Sequence, residues 1–459
     1  MLKKFIGDKQ FYKSVLAITM PVVLQGSISC IVNMLDNIML GQVGTEQMTG
    51  VAISNQLLSI YIILLCAVFS ASSIFATQFY GNGDTDGIRH VFRFNILSTL
   101  VFFTAFTVFL LLCGDSVLML FLNSDGNSAE SVALTFESAK TYLIIALASF
   151  FPYSVSQIFC SILNACGKTV ATMLSSAIAM VSNFIFNYIL IFGKIGFPAM
   201  GVKGAALATL CSRILELSFL VIYTLVTRKE NRFIIGAFKS LYFPFGLFKK
   251  LLPKGLSLMA SVGIWSIGNT FINQCFSTRG IDALAAYNIS QTFNSVFTFA
   301  ANSFGTSIFI MLGHLIGAGK REQVRDHCRK HIALAEALSL VFGALFFICA
   351  QYIPFLYNTS DEVHHIATAL MRVLALTYFI DCFSHVAGFA LRAGGDMKKV
   401  FFPNILHLTL NIPAVFVLSR VTDLSIVWLL GVFQLLNIIK GIFNYCFLKS
   451  DKWIHKVIE

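Results

Sequence analysis

One carboxylate stands out because it lies inside a long apolar stretch. Asp36 lies near the end of the run from Leu16 to Leu40, and Asn33 and Asn37 lie close to it in the sequence. An ionisable side chain at membrane depth costs at least a few kcal/mol and usually faces a polar cavity where it has a function. We therefore expect Asp36 to be a switchable charge that binds a cation or exchanges a proton.

Further oxygen-bearing side chains occur in two later apolar stretches of the first half. Asn183 and Asn187 are four residues apart, which places them on one face of a helix, and Thr209 lies in the next stretch. Together with the carboxylate of Asp36 they form a set of oxygen donors that suits sodium or a proton-exchanging carboxyl. Polar side chains within spans also simply join helices, for about 1 kcal/mol each, and that alternative stays open for each residue alone.

The second half has a comparable set of polar residues. Asp381 and His385 are four residues apart in one apolar stretch, and His407 and Asn411 are four apart in the next. If these two faces meet, they form a second polar cluster that can take up a proton. For His407, an ordinary interhelical hydrogen bond is an equally good explanation.

The composition identifies the elements that must hold these residues. The chain has 459 residues, of which 57% are hydrophobic and 12% charged, whereas a soluble domain has about 25% charged residues. A membrane-spanning helix needs roughly 20 apolar residues, and about twelve such stretches lie between residues 14 and 447. The sequence therefore predicts an all-α integral membrane protein with about twelve transmembrane helices, and excludes a membrane β-barrel.

The chain has a net charge of +11, and its basic residues are unevenly distributed among the connections between the apolar stretches. Basic residues concentrate in every second connection, to which we assign Arg93, Arg392 and Lys440 among others. This alternation places both termini in the cytoplasm of a multi-pass cell-membrane protein, as in a bacterial inner membrane. We expect contacts with membrane lipids and no nucleic-acid partner. The eleven cysteines show no pattern, and no motif of an enzyme active site is found.

Two sequence echoes divide the chain into similar halves. In the first half, Ser54-Asn55-Gln56 is followed by the segment Gln78–Asp84. In the second half, Ile289-Ser290-Gln291 is followed by the similar segment His314–Lys320, and the two separations differ by one residue. The segment Leu163–Lys168 likewise resembles Leu391–Asp396. Repeated halves are typical of transporters whose substrate site lies between two bundles. The sequence predicts an N-terminal lobe of six helices over 1–227, a cytoplasmic linker over 228–254 and a C-terminal lobe of six helices over 255–459. Asn33, Gln56 and Gln291 are candidates to line a cavity between the lobes.

Several segments in order resemble the MATE (multidrug and toxic compound extrusion) transporters, over nearly the whole chain. These segments are Met20–Gln25, Asn33–Gly41, Ala76–Gly81, Asn187–Gly193, Gly196–Thr209 and Leu391–Asp396. The resemblance implies two six-helix lobes related by pseudo-twofold symmetry. It also implies an antiporter that exports small organic cations in exchange for sodium or protons, needs no other cofactor and is expected to be a monomer.

The resemblance also implies roles for individual residues. Asp36 matches the main coupling residue of the family. Asn183, Asn187 and Thr209 match its N-lobe cation site, with Ala205 as a backbone donor. Some members have Asp where this chain has Asn187, so sodium and proton remain alternatives. Asp381 matches a coupling residue of another branch, but the Glu that this branch has in the seventh span is absent, because Leu252–Phe276 contains no carboxylate.

Two other functions fit a polytopic helical protein. A flippase for lipids or lipid-linked oligosaccharides should have a cavity rich in Arg and Lys to hold phosphates, and only Arg213 and Arg372 are candidates for that. A channel or receptor-like protein without pumping is the third alternative. The shortage of such basic residues ranks the flippase second, and the duplicated halves and unequal buried carboxylates argue against the channel or receptor.

Overall fold

The computed structural model describes residues 4–41, 44–122, 129–357 and 359–458, with side chains except at 30–38, 40, 41, 45, 129 and 451. Within these ranges the secondary structure is helical, without strands, and twelve helices are long and apolar enough to cross a membrane. The prediction of an all-α protein with twelve spans is thereby confirmed. The helices are α1 (Lys9–Gly41), α2 (Thr45–Gly81), α3 (Thr85–Leu122), α4 (Ala129–Ala165), α5 (Thr169–Phe192), α6 (Gly201–Val226), α7 (Phe245–Ser277), α8 (Ile281–Gly317), α9 (Arg321–Cys349), α10 (Asp361–Ala393), α11 (Met397–Val421) and α12 (Ile426–Lys449).

The two sequence echoes end their helices in the same way. Gly83 and Gly319 follow α2 and α8 with φ of 73° and 72°, and Gly167 and Gly395 follow α4 and α10 with φ of 76° and 74°. This left-handed conformation is natural for glycine and closes a helix by turning the chain back toward its last carbonyls. The echoes are therefore repeated helix ends and not chance similarities of composition.

The chain forms two compact units. The first unit comprises Met1–Val23, Thr77–Gly83 and Leu256–Glu459, and the second comprises Leu24–Ala76 and Asp84–Gly255. The lobe boundaries at residues 227 and 255 remain a prediction.

In the first unit, the C-terminal end of α2 crosses α8 at two glycines. A Cβ atom added at Gly81 would fall on the carbonyl oxygen of His314, and one added at Gly317 would fall on that of Gln78. Gly81 and Gly317 occupy equivalent places in the repeated segments. Small residues let membrane helices approach to backbone contact, so glycine is required at both positions.

The side chain of Gln78 is fully buried at this crossing and holds the C-terminal segment. Its Nε2 donates to the carbonyl oxygens of Ala393 and His455, both at 3.1 Å, and its Oε1 accepts from the amide of Val457 at 2.8 Å. All three bonds lie within the first unit. Gln78 thus joins the end of α2 to the end of α10 and to the residues after α12.

In the second unit, Arg93 of α3 is buried and fixes the connection between α6 and α7. Its guanidinium donates to the carbonyl oxygens of Gly236 at 2.8 Å, Ala237 at 3.0 Å and Tyr242 at 3.1 Å. The assignment of Arg93 to a connection between helices was wrong, since it lies within α3. The stretch predicted as a linker is correspondingly packed, with Phe233 buried against Phe92.

Candidate functional site

A polar cavity of about 240 Å³ lies in the second unit among α1, α4, α5 and α6. Asn183 of α5 and Thr209 of α6 line it, and so do Gln25 of α1 and the pair Arg213 and Glu216 of α6. Gln25 is held in place because its Nε2 donates to Ser176 Oγ at 2.8 Å. Two residues predicted as ion ligands therefore open into one polar space.

The predicted oxygen donors are joined in a chain of hydrogen bonds. Asn187 Nδ2 donates to Asn183 Oδ1 at 3.0 Å, and Asn183 Nδ2 donates to Thr209 Oγ1 at 3.4 Å. The hydroxyl of Thr209 donates to the carbonyl oxygen of Ala205 at 3.1 Å. The chain brings together the four residues Asn183, Asn187, Thr209 and Ala205, because the i and i+4 positions of α5 face the first turns of α6.

Among the side chains that the structure describes, the charges that line this cavity balance each other. Arg213 Nη1 donates to Glu216 Oε2 at 2.8 Å, and the guanidinium lies over the ring of Tyr153, 4.9 Å from its centroid. Glu216 is buried, so the pair neutralises its carboxylate within the helix. Arg213 therefore already has an anionic partner on its own helix.

Asp36 lies in the helical part of α1, but its side chain is outside the described residues, as is that of Asn33. The second unit thus presents the amide and hydroxyl part of the predicted set, and the role of the carboxylate remains a prediction. The uncharged oxygens of Asn183 and Thr209 fit a sodium ion by type, since each is a neutral donor with a further lone pair.

A second polar cavity, of about 420 Å³, lies in the first unit and is lined by α7, α8, α10, α11 and α12. Asp381, His385 and His407 all line it, so the faces of α10 and α11 do meet at one space. Asn411 lies behind His407, with its Nδ2 2.8 Å from His407 Nδ1. The ring of His407 therefore has a polar partner on its own helix. Whether this cluster takes part in coupling stays a prediction.

Asp381 is enclosed by amide groups from α12. Gln434 Nε2 donates to its Oδ2 at 3.2 Å, and Asn437 Nδ2 donates to its Oδ1 at 2.9 Å. A further bond from Asn437 Nδ2 to Gln434 Oε1, at 2.8 Å, links the two amides. His385 donates from Nδ1 to the backbone carbonyl of Asp381 at 2.8 Å. Both carboxylate oxygens thus accept hydrogen bonds from amide groups of α12.

Sequence reasoning missed two cations in this cavity. Lys440 and Arg392 were assigned to loops, but Lys440 lies within α12 and Arg392 in the last turn of α10, and both line the cavity with Asp381. The signal for Lys440 was present in the sequence. Gln434, Asn437, Lys440 and Asn444 recur at three- and four-residue spacing, as one face of a helix requires.

The candidates for substrate contact divide between the cavities and the surface. Gln291 lines the cavity of the first unit, where its Nε2 donates to Tyr287 Oη at 2.6 Å. Gln56 is exposed. Arg372, a candidate phosphate ligand of the flippase alternative, is exposed and lies over the ring of Phe347, 5.5 Å from its centroid.

Comparison with known proteins identifies the family. The family model described as MatE matches residues 21–189 and 257–417, which is most of the chain and covers both halves. The chain belongs to the MATE family. This family consists of transporters, so the chain is a multi-pass membrane transporter and not an enzyme.

Relatives and solved structures cover nearly the whole chain. The probable multidrug resistance protein NorM of Thermotoga maritima is 22% identical over 449 residues, 97% of this chain and 94% of that protein. The multidrug resistance protein MdtK of Yersinia enterocolitica is 26% identical over 411 residues, 87% of this chain and 85% of that protein. A crystal structure of MATE in complex with MaL6 matches with a TM-score of 0.84 at 20% identity, over 98% of this chain and 99% of that one. This likeness shows that the chain has the MATE fold.

Proposed function

We propose that this MATE transporter exports small organic cations by alternating access, in exchange for inward sodium or protons. The chain of amide, hydroxyl and carbonyl oxygens that runs from Asn187 through Asn183 and Thr209 to Ala205 carries the proposal. It borders a polar cavity to which α1, the helix that contains Asp36, contributes Gln25. The names of the relatives as multidrug resistance proteins support the class of substrate.

In this mechanism Asp36 binds the inward-moving ion with help from Asn183 and Thr209. Coupling needs only a difference in ion affinity between the inward-open and outward-open states. One positive charge that enters down a potential of 100 mV releases about 2.3 kcal/mol. For a substrate without net charge, that free energy maintains roughly a fifty-fold gradient. The export of a singly charged cation in a one-for-one exchange costs the same electrical work, so the concentration gradient of the ion must then drive it. A monomer with both termini in the cytoplasm is the assembly and orientation that we propose.

Transport by Asp36→Asn in proteoliposomes tests the proposal. A fluorescent organic cation is loaded, and its movement is followed under a sodium gradient alone and under a proton gradient alone. We expect the wild type to respond to at least one gradient and Asp36→Asn to lose that response. Loss of only the sodium-driven flux would identify sodium as the coupling ion.

A matched control keeps the result interpretable. Asp282 is an exposed carboxylate in the first turn of α8, so Asp282→Asn removes the same charge outside both cavities and should transport normally. Unchanged gradient-driven transport by Asp36→Asn contradicts the role of Asp36. Downhill flux that ignores both gradients would instead favour a channel.

A further inference from the structure

A groove of about 690 Å³ lies in the first unit and shares no lining residue with the polar cavity of that unit. Its sides are formed by α9 and α12, and Phe383 of α10 lies between them. Both α9 and α12 pack against α10, which therefore forms the floor of the groove. Asp381 and His385, two residues before and after Phe383, line the polar cavity instead. Helix α10 thus separates the two spaces.

On one side of the groove, α9 runs antiparallel to α10. The carbonyl oxygen of Ala335 accepts a hydrogen bond from Cys382 Sγ at 3.9 Å. Farther along α9, a Cβ atom added at Gly343 would lie 2.9 Å from the carbonyl oxygen of Ala375. Because residue numbers rise along α9 while they fall along α10, the N-terminal end of α9 lies beside the C-terminal end of α10.

On the other side of the groove, α12 runs parallel to α10. Asn437 Nδ2 donates to Asp381 Oδ1 at 2.9 Å, and Asn444 Nδ2 donates to the carbonyl oxygen of Ser384 at 3.1 Å. Residue numbers therefore rise together along the two helices, and the C-terminal end of α12 also lies beside the C-terminal end of α10. The first turns of α9 and the last turns of α12 thus flank the same end of the groove.

Arg329 of α9 and Lys449 of α12 line this end of the groove at nearly the same depth. With a rise of 1.5 Å per residue, Arg329 lies about 9 Å beyond the contact of Ala335 with α10. Lys449 lies about 8 Å beyond the contact of Asn444 with α10, and that contact is itself about 3 Å farther along α10. The two positions therefore differ by about 2 Å along the helix, which is within the reach of their long side chains.

The mouth of the groove is basic. Arg329 and Lys449 are exposed, and neither forms an ion pair or a hydrogen bond with another residue that the structure describes. Arg325, one turn before Arg329 on the same face of α9, also lines the groove. Glu336, the one carboxylate among the described lining residues, lies about 10 Å farther inward than Arg329. An anion bound at the mouth therefore meets basic side chains, and Glu336 is too distant to compete for them.

Between this mouth and Glu336 the groove is largely apolar. Ile332 and Ala333 of α9, Tyr445 of α12 and Phe383 of α10 line it. They cover about 10 Å of depth, which lies within the roughly 15 Å of hydrocarbon that belongs to one leaflet of a bilayer. A groove that is basic at one end and apolar farther inward matches the two parts of an anionic phospholipid, its phosphate and an acyl chain.

We propose that this groove binds one anionic phospholipid of the surrounding membrane. Arg329 and Lys449 bind the phosphate oxygens, Arg325 adds positive charge one turn farther out, and one acyl chain lies between α9 and α12 on Phe383. The charge of the mouth selects the occupant, because it attracts an anionic headgroup, repels a lipophilic cation and has no net attraction for a zwitterionic lipid. The site is independent of the proposed export function.

The fluorescence of Trp453 reports on the groove. Trp453 lines the groove just beyond the end of α12, whereas the other two tryptophans, Trp265 and Trp428, are exposed. Trp265→Phe and Trp428→Phe together leave Trp453 as the only tryptophan of the full chain. The purified protein is titrated in detergent micelles with phosphatidylglycerol that carries bromine near its glycerol, since bromine quenches a nearby tryptophan. Phosphatidylcholine with the same brominated chains is titrated in parallel.

The two lipids differ in net charge and share their chains, so the comparison isolates the basic mouth. One basic residue near an anionic headgroup contributes about fivefold in affinity. Two such residues predict half-maximal quenching of Trp453 at a roughly 25-fold lower concentration of phosphatidylglycerol than of phosphatidylcholine. Equal quenching by the two lipids overturns the proposal.

Variants of the exposed basic residues separate this site from a general attraction of charge. Arg329→Gln and Lys449→Gln should each weaken the binding of phosphatidylglycerol about fivefold and together remove the preference, while Arg329→Lys should retain most of it. Arg420 is an exposed cation in the last turn of α11, just before α12 begins, so it lies almost a helix length from Lys449. Arg420→Gln should leave the preference unchanged. The same weakening in Arg420→Gln as in Arg329→Gln overturns the proposal.

Three further measurements test the occupant. Ala333→Phe narrows the apolar part of the groove and should weaken quenching by both lipids, whereas unchanged quenching contradicts an acyl chain at this place. Inorganic phosphate at constant ionic strength should not displace phosphatidylglycerol, and displacement would show that the mouth takes free phosphate instead. Tetraphenylphosphonium, a lipophilic cation, should not displace the lipid either. Displacement that is lost in Glu336→Gln would assign the groove to such a cation and overturn the proposal.

Discussion

Replacing Arg93 by methionine should release the connection between α6 and α7. The side chain is 8% exposed and donates to three carbonyl oxygens, those of Gly236, Ala237 and Tyr242. A hydrogen bond from a charged donor contributes about 1.5–3 kcal/mol, so the gross loss is roughly 5–9 kcal/mol. Water will reach part of this segment once it opens, because Tyr242 is exposed. We therefore expect the free energy of opening this segment to fall by about 3 kcal/mol, which is near the lower end of the range for broken buried networks.

Hydrogen exchange followed by mass spectrometry measures this local change. A loss of about 3 kcal/mol raises the population of the open segment by roughly 150-fold, and the peptide that contains Gly236 and Ala237 should exchange faster by that factor. Arg93→Lys keeps one donor and should fall between wild type and Arg93→Met. Peptides from α5 should be unaffected in both variants.

Arg89 provides the matched control for Arg93. It lies one turn earlier on α3, pairs with the exposed Asp86 and reaches the carbonyl oxygen of Phe233 through a single bond of 3.3 Å. Surface pairs and single weak bonds contribute about 1 kcal/mol or less. Arg89→Met should therefore accelerate exchange by only a few fold. Exchange in Arg93→Met within twofold of wild type, or equal effects of both substitutions, would refute the reasoning.

Two further stability predictions follow from residues outside the cavities. Gln78→Leu removes the three hydrogen bonds of a buried side chain and should lower the free energy of unfolding by about 2–4 kcal/mol. Thermal unfolding in detergent measures this loss, and Asn82→Ala, at an exposed site of the same segment, should cause no such loss. Burial alone would raise the pKa of Asp396, but the hydrogen bond and charge of Lys399, at 2.8 Å, hold the pKa below its usual 3.8. A lowered pKa stabilises the fold above about pH 4, and this contribution is lost as the pH falls further. The difference in free energy of unfolding between wild type and Asp396→Ala should therefore shrink toward pH 3. A difference that stays the same at all pH values would contradict this role of the Asp396–Lys399 pair.

The twelve membrane-spanning helices could be predicted from the sequence, because the thickness of the bilayer sets how many consecutive apolar residues a spanning helix needs. It also paired His407 with Asn411, and Asn183 with Asn187, since a four-residue spacing on a helix brings side chains together whatever surrounds them. Those local relations appear in the structure as direct hydrogen bonds.

The charges were harder to place, because a count of basic residues cannot separate a loop cation from one inside a helix. Arg93, Arg392 and Lys440 were all taken as topological charges, although each has a specific environment that depends on distant segments. Asp381 shows the same limit. Its amide partners lie more than fifty residues away on α12, and only the packing of α10 against α12 brings them to its carboxylate.

The bare contact between the end of α2 and α8 limits which substitutions this crossing accepts. A Cβ atom at Gly81 would lie 2.1 Å from the carbonyl oxygen of His314, and one at Gly317 would lie 2.0 Å from that of Gln78. Because the obstacle is backbone and not the end of a flexible side chain, even a single methyl group at either position must push the two segments apart. The separation would strain the place where Gln78 holds the C-terminal segment.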